Sequence, residues 1–189
     1  MRQLALKQLG YPLVLLLSLS IVFASEHPVF EVKSGSTQKD GAVYFLNAVF
    51  EIDLPPYIVD SFEQGFDIPL VMEVEVYRDR SFWLDDQVVY LKQQYRLQYH
   101  PVMNSISLLN VNQGNHRYFG SLPEAVRHLS ALLGYPLLDG NNLLADETYH
   151  ARLRFGIDAN EIPIPLKSSS LWKNDWELES DWMEWDILP

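Results

Sequence analysis

The sequence contains no cysteine and few basic residues, and it has no apolar run as long as a membrane span. Without cysteine, a disulfide scaffold, a thiol nucleophile and an acylated lipoprotein anchor are all excluded. Disorder is excluded as well, because a chain that is 48% hydrophobic and 13% aromatic can bury enough surface to offset the entropy of folding. The 189 residues are enough for one domain and too few for two of ordinary size.

The first 24 residues have the pattern of a secretory signal peptide. Two basic residues precede an apolar stretch of residues 13–24, which is shorter than the roughly 20 residues that span a bilayer. The order Val22-Phe23-Ala24 suits a signal peptidase, so we expect cleavage after Ala24. The prediction is a signal peptide over 1–24, a single domain over 25–189 and a periplasmic or secreted location. An uncleaved leader that tethers the chain to the inner membrane is the alternative.

Cleavage would make an acidic protein more acidic. The 14 Lys and Arg, less the two in the leader, leave 12 against 25 Asp and Glu, a formal charge of −13. Such a surface repels nucleic-acid phosphates and anionic lipid headgroups. We therefore expect no nucleic-acid partner and no stable membrane anchor after cleavage. A periplasmic or membrane protein with a cationic segment is the expected partner.

Alternation of apolar and polar side chains, the period of a β-strand, dominates the sequence. The clearest strand is 68–79, where every second residue from Leu70 to Val76 is apolar. Further strands are predicted over 29–32, 42–52, 87–100, 104–112, 117–119 and 149–157. Long helices do not alternate with them, which argues against a parallel sheet. The expected fold is mainly β, an antiparallel sandwich of about seven or eight strands with two short helices.

The two helices carry recognisable start signals. One is predicted over 56–64, beginning at the second residue of the pair Pro55-Pro56 and ending before Gly65. The other begins at Ser121-Leu122-Pro123-Glu124, with serine as the cap and glutamate three residues later. Its expected buried stripe, ended by Gly134, is Val126, Leu129, Leu132 and Leu133.

Charges of opposite sign lie on two successive strands. Glu73 and Glu75 occupy the polar face of 68–79, and Lys92 and Arg96 that of 87–100. We expect these side chains to pair between the two strands, as a modest aid to register.

Catalytic and cofactor motifs are missing from the sequence. It has neither a Gly-x-Ser-x-Gly elbow nor a glycine-rich phosphate loop. Its five histidines lack metal-ligand spacing, although the strands could bring His100 and His150 together. We therefore predict no catalytic residue, no metal site and no cofactor. A hydrolase that uses the acid pairs Glu73/Glu75 or Glu177/Glu179 is a third, less favoured hypothesis.

The last 19 residues stand apart, since they hold four of the five tryptophans and six acids. One interpretation is a terminal strand that closes the core, with Trp176 and Trp182 inward and the acids outward. The other is a recognition surface, because indole faces attract cations and carboxylates reinforce that attraction. The candidate interaction surface consists of Trp172, Trp176, Glu177, Glu179, Asp181, Trp182 and Trp185.

Two functions of binding class remain open. The leading hypothesis is a non-catalytic module that binds another protein through this C-terminal surface. The alternative is a glycan-binding or small-molecule-binding protein in which Phe82, Trp83 and the C-terminal indoles act as stacking platforms.

Several segments together resemble an exported proteobacterial family, domain of unknown function 4390. They are Leu54-Pro55-Pro56, 70–77, Phe82-Trp83, 95–99, 121–125, 149–158, 162–166 and, most specifically, Trp176-Glu177-Leu178-Glu179-Ser180-Asp181-Trp182. Met183 departs from the family pattern, which often has a basic residue there. The resemblance implies an exported protein of unknown activity and supplies no catalytic residue. It also implies a membrane signalling partner, because members are often encoded beside a membrane-bound sensor kinase.

Overall fold

The computed structural model describes residues 29–80, 85–162 and 178–187. The predicted leader therefore lies outside the described residues, and so do Phe82, Trp83 and three members of the candidate surface, Trp172, Trp176 and Glu177. Within the described part, nine strands form two antiparallel sheets, which confirms the predicted mainly β fold.

The larger sheet has six strands in the order β6-β5-β4-β3-β8-β9. Their bounds are β3 Ile68–Arg78, β4 Asp86–His100, β5 Ser105–Asn110, β6 Asn115–Phe119, β8 Tyr149–Ile157 and β9 Met183–Ile187. The chain runs from β3 to β6 through three successive antiparallel pairings and returns along the other edge of β3 with β8. This return places β8 between β3 and the C-terminal strand β9.

The smaller sheet has three strands in the order β1-β2-β7. Their bounds are β1 Phe30–Asp40, β2 Val43–Ile52 and β7 Ala131–Asp139. The first strand is longer than the predicted 29–32 and turns into β2 at Gly41, whose φ of +59° suits glycine.

The core lies between the two sheets and follows from the alternation in the sequence. Leu70, Met72, Val74 and Val76 of β3 are all within 1% of complete burial, as the pattern predicts. Phe155 of β8 joins the layers, because its ring lies 4.9 Å from that of Phe50 and 5.6 Å from that of Phe30. The interleaved apolar faces hold the two sheets together.

Both helices begin where the sequence predicts. Helix α1, Pro56–Glu63, starts with proline and is followed by Gly65 at a φ of +94°. Helix α2, Leu122–Leu129, is capped by Ser121, whose Oγ accepts from the backbone N–H of Glu124. Each helix has eight residues, and in the described part of the chain no helix is long and apolar enough to cross a membrane.

The predicted end of the second helix was wrong. The helix stops at Leu129, and Leu132 and Leu133 lie in β7, where Leu133 is 76% exposed. The edge of β2 accounts for the difference, because β7 satisfies backbone groups that β2 would otherwise leave unpaired. Gly134, expected to end the helix, has a φ of +65° and donates its N–H to the Asn47 side chain at a register shift within the strand pair.

Candidate functional site

The C-terminal segment 178–187 is attached to the edge of β8 in two steps. The first is a short bridge between Glu179 and Gly156, in which the N–H of Ile157 donates to Leu178 and that of Ser180 to Phe155. The second step is β9, which pairs with β8 from Met183 onward. The alternation predicts Trp182 within a strand. In the structure it lies just before one, because β9 begins at Met183.

The structure separates the two described tryptophans. Trp185 lies opposite Ala151 of β8 and packs against the core, with its six-membered ring beside Gly35 of β1. Its indole N–H is buried and has no hydrogen-bond partner among the residues that the structure describes. Trp185 therefore fits the interpretation of a strand that closes the core.

Trp182 contacts cations, but they belong to its own chain. The guanidinium carbon of Arg152 lies 4.5 Å from the centre of its ring, and that of Arg154 lies 4.7 Å away. Both arginines are on β8, at alternate positions that share the polar face of the larger sheet. The attraction between indole and cation that the sequence suggested for a partner is thus realised within the fold.

The same arginines bind the acids of β3. Arg152 donates to Glu75 at 2.6 Å, and Arg154 donates to Glu73 at 2.7 Å and to Glu179 at 2.6 Å. The predicted pairing of Glu73 and Glu75 with β4 was therefore wrong, because their cationic neighbours come from β8. Sequence reasoning missed this role of Arg152 and Arg154, although their alternation with apolar residues is visible in the strand.

The basic residues predicted to pair on β4 bind other acids. Lys92 lies opposite Glu73 in register but forms its ion pair with Asp158, 2.9 Å away. Arg96 donates to Glu161 at 3.1 Å. Both of these acids follow the end of β8, so β4 and β8 are linked across β3.

Two of the acids on this face have pKa values below the ordinary range. Burial by itself would raise the pKa of Glu75, but hydrogen bonds from Tyr77 and Arg152 outweigh it and lower the pKa. At Asp158, burial is likewise outweighed by bonds from Lys92 and Gln94, which lower the pKa of that carboxyl. Both groups are therefore held in the charged form in the folded protein.

Acidification is expected to destabilise the protein through these two acids. Because their folded-state pKa values are lowered, the stability they supply is complete above the unfolded values of about 4 and is lost as pH falls through the folded values. Urea unfolding between pH 7 and 3 should show a falling free energy below about pH 5. The double variant Glu75→Gln, Asp158→Asn should flatten this fall, whereas Asp146→Asn, Glu147→Gln should not. An equally steep fall in both double variants would contradict the assignment.

A groove lies between the C-terminal segment and the start of β1. Its volume is about 460 Å³. It is lined by Phe30, Glu31, Val32, Glu179, Asp181, Trp182 and Met183. We call it the C-terminal groove. Its walls combine apolar side chains with three carboxylates, so it can accept a ligand that is both apolar and cationic.

The carboxylates near the C-terminal groove differ in their partners. Glu31 is paired with Lys33, and Glu179 with Arg154. Asp181, Glu184 and Asp186 are exposed, and no ion pair joins them to any residue in the described ranges. These three form a line of negative charge along the C-terminal edge of the sheet, without an ion pair among the described residues.

His100 and His150 are not brought together. His150 lies opposite Tyr77, near the C-terminal end of β3, and contacts Asp79 at 2.9 Å. His100 lies beyond the N-terminal end of β3 and is hydrogen-bonded to Ser107. His150, Asp79 and Asp85 do place three possible ligand atoms within 4.8 Å of one another. The two carboxylates are exposed and the histidine already has Asp79 as a partner, which fits an ordinary polar contact at the surface.

The fold and these surfaces define a mainly β protein of two antiparallel sheets. The chain belongs to the family described as Domain of unknown function (DUF4390), whose pattern matches residues 27–186. This match confirms the resemblance found in the sequence. Comparison with curated proteins and comparison with solved structures each gave no match.

Proposed function

We propose that the protein is an exported, non-catalytic module that binds a cationic segment of another protein through the C-terminal groove and the carboxylates beside it. The observation that carries the proposal is the line of Asp181, Glu184 and Asp186, exposed and without ion pairs among the described residues, next to a groove with apolar walls. Opposite charges at such a rim accelerate association and orient the partner.

The proposed partner contains both basic and apolar side chains. The basic ones would meet Asp181 and Glu184, and the apolar ones would pack against Trp182 and Met183, which are half-buried in the groove. A purely cationic ligand would leave the apolar walls in contact with water, and a purely apolar one would bring no positive charge to Asp181 and Glu184. A periplasmic segment of a membrane signalling protein has the location that the family resemblance suggests.

A binding role also agrees better than catalysis with the state of the acids on this sheet. A general acid needs a raised pKa. The pKa of Glu75 is lowered, and Glu73 accepts from both Arg154 and Tyr90. A glutamate with a lowered pKa, and one whose carboxylate already accepts two hydrogen bonds, are suited to structural pairing and not to donating protons.

Binding can be tested with a labelled peptide that alternates Arg and Leu, measured by fluorescence anisotropy at several salt concentrations. We expect saturable binding that weakens as salt rises. The neutral variant Asp181→Asn, Glu184→Gln should bind about tenfold more weakly, while the matched control Asp146→Asn, Glu147→Gln should bind like the natural protein. A peptide with Glu in place of Arg should not bind.

In cells, a photo-crosslinking amino acid at position 181 should capture one defined membrane or periplasmic protein, and the same probe at position 146 should not. Equal affinity of the two neutral variants for the Arg-Leu peptide, or identical crosslinks from both positions, would refute the proposal.

A further inference from the structure

A second and larger cavity lies at another part of the molecule, between the two helices. Its volume is about 830 Å³. It is lined by Ile52, Leu54, Val59, Phe62, Glu63, Tyr99, Asn104, Ile106, Ser121, Leu122, Pro123 and Val126. We call it the interhelical cleft. A volume between about 300 and 1,000 Å³ with mainly apolar walls is typical of sites for small molecules.

The walls of the interhelical cleft are apolar but not closed. Phe62 and Ile106 are buried at its base, whereas Val59, Leu122 and Val126 are only half-buried because they face the opening. Two further apolar residues, Val102 and Met103, are exposed by 100% and 61% in the turn that leads to Asn104. A ligand that excludes water from these half-exposed apolar walls lowers the free energy of the system, which favours binding.

The charge around the interhelical cleft indicates the kind of ligand. Among the described residues that line it, only Glu63 is charged, and this residue sits at the C-terminal end of α1, where the helix dipole is negative. Residues 51–67 contain five acids and no base. Asp60 and Glu63 are exposed, and no described residue forms an ion pair with either.

The start of α2 does not offset this negative charge. A helix N-terminus would by itself favour an anion. Here Ser121 accepts from the N–H of Glu124, and the Glu124 carboxylate accepts from the N–H of Gly120. The carboxylate of Glu124 is therefore already an anion at the start of this helix, and it would repel a second one.

We propose that the interhelical cleft binds a cationic amphiphile, a small molecule with an apolar chain or ring system and one positively charged head group near Glu63. The apolar part fills the cleft between Val59 and Val126, and the head group stays at the opening. The ligand class differs from the peptide proposed for the C-terminal groove, and no lining residue is shared between the two sites.

The proposal can be tested by isothermal titration of the protein without residues 1–24, using three probes that share a dodecyl chain, each kept below its critical micelle concentration. The heads are trimethylammonium, maltoside and sulfate. We expect one molar equivalent of the cationic probe to bind, about fivefold more tightly than the neutral probe and more tightly still than the anionic one.

The variant Glu63→Gln should remove the preference for the cationic over the neutral probe, and the control Glu147→Gln should keep it. Both glutamates are exposed, so neither change should alter the unfolding temperature. Val126→Asp should weaken the binding of every probe, with folding checked by circular dichroism.

Three results would overturn the proposal: no saturable binding, equal affinity for all heads, or a preference that survives Glu63→Gln. Self-association that Val126→Asp abolishes would assign the interhelical cleft to a second copy of the chain instead. Because none of these variants touches the C-terminal groove, peptide binding there can fail or succeed independently.

Discussion

Replacement of Phe155 by alanine is expected to lower the free energy of unfolding by about 3–5 kcal/mol. Phe155 is 2% exposed and contacts Phe30 of β1 and Phe50 of β2. The change removes the ring that joins the two sheets and leaves a cavity that neither sheet can fill without breaking its ladder.

Urea unfolding followed by tryptophan fluorescence measures this loss. The matched control is Tyr118→Ala on β6, where the ring is 60% exposed and the expected change is below about 0.5 kcal/mol. If Phe155→Ala cost no more than Tyr118→Ala, the two sheets would not depend on this contact.

Replacement of Gly156 by alanine is expected to displace the C-terminal segment. A Cβ atom there would collide with the carbonyl oxygen of Leu178 and would lie 2.7 Å from the Cα of Glu179, closer than side-chain carbons approach backbone. Because both obstacles are backbone atoms, no rotamer change relieves them. We expect a loss of about 1–3 kcal/mol and faster hydrogen exchange at Ile157 and Ser180, whose N–H groups bond across this bridge.

Gly120→Ala is the control for this substitution, since the nearest atom to its added Cβ is the end of the Glu124 side chain at 3.4 Å. Unchanged exchange at Ser180 in Gly156→Ala would contradict the close approach. Displacement of the segment should also weaken the binding of the Arg-Leu peptide, because Asp181 and Trp182 follow directly after the bridge.

The six-stranded sheet could be anticipated where one face of a strand is apolar. From Met72 to Val76 apolar and acidic residues alternate, and a shift of one residue would move Met72, Val74 and Val76 from the core to the polar face, so the register is strongly specified. The start of α2 was equally predictable, because the cap serine and the glutamate three residues later each accept a hydrogen bond from a backbone N–H at the start of the helix.

The end of α2 and the course of the C-terminal segment could not be read in this way. Leu132 and Leu133 continue a helical spacing, but pairing with β2 stabilises residues 131–139 as a strand. Trp182 and Trp185 look alike in the sequence, yet one contacts arginines on the polar face and the other packs against the core. The environment of each tryptophan depends on where the neighbouring strands lie, and the local sequence pattern does not give that position.

By itself, the sequence determined the two apolar faces, the starts of both helices and the excess of acids, because each follows from residues close together in the chain. The tertiary structure alone decided that β8 arginines bind the β3 acids and Trp182, and that α1 and α2 lie on either side of the interhelical cleft. These contacts join residues far apart in the chain, and only the order of strands in the two sheets brings them within reach of one another.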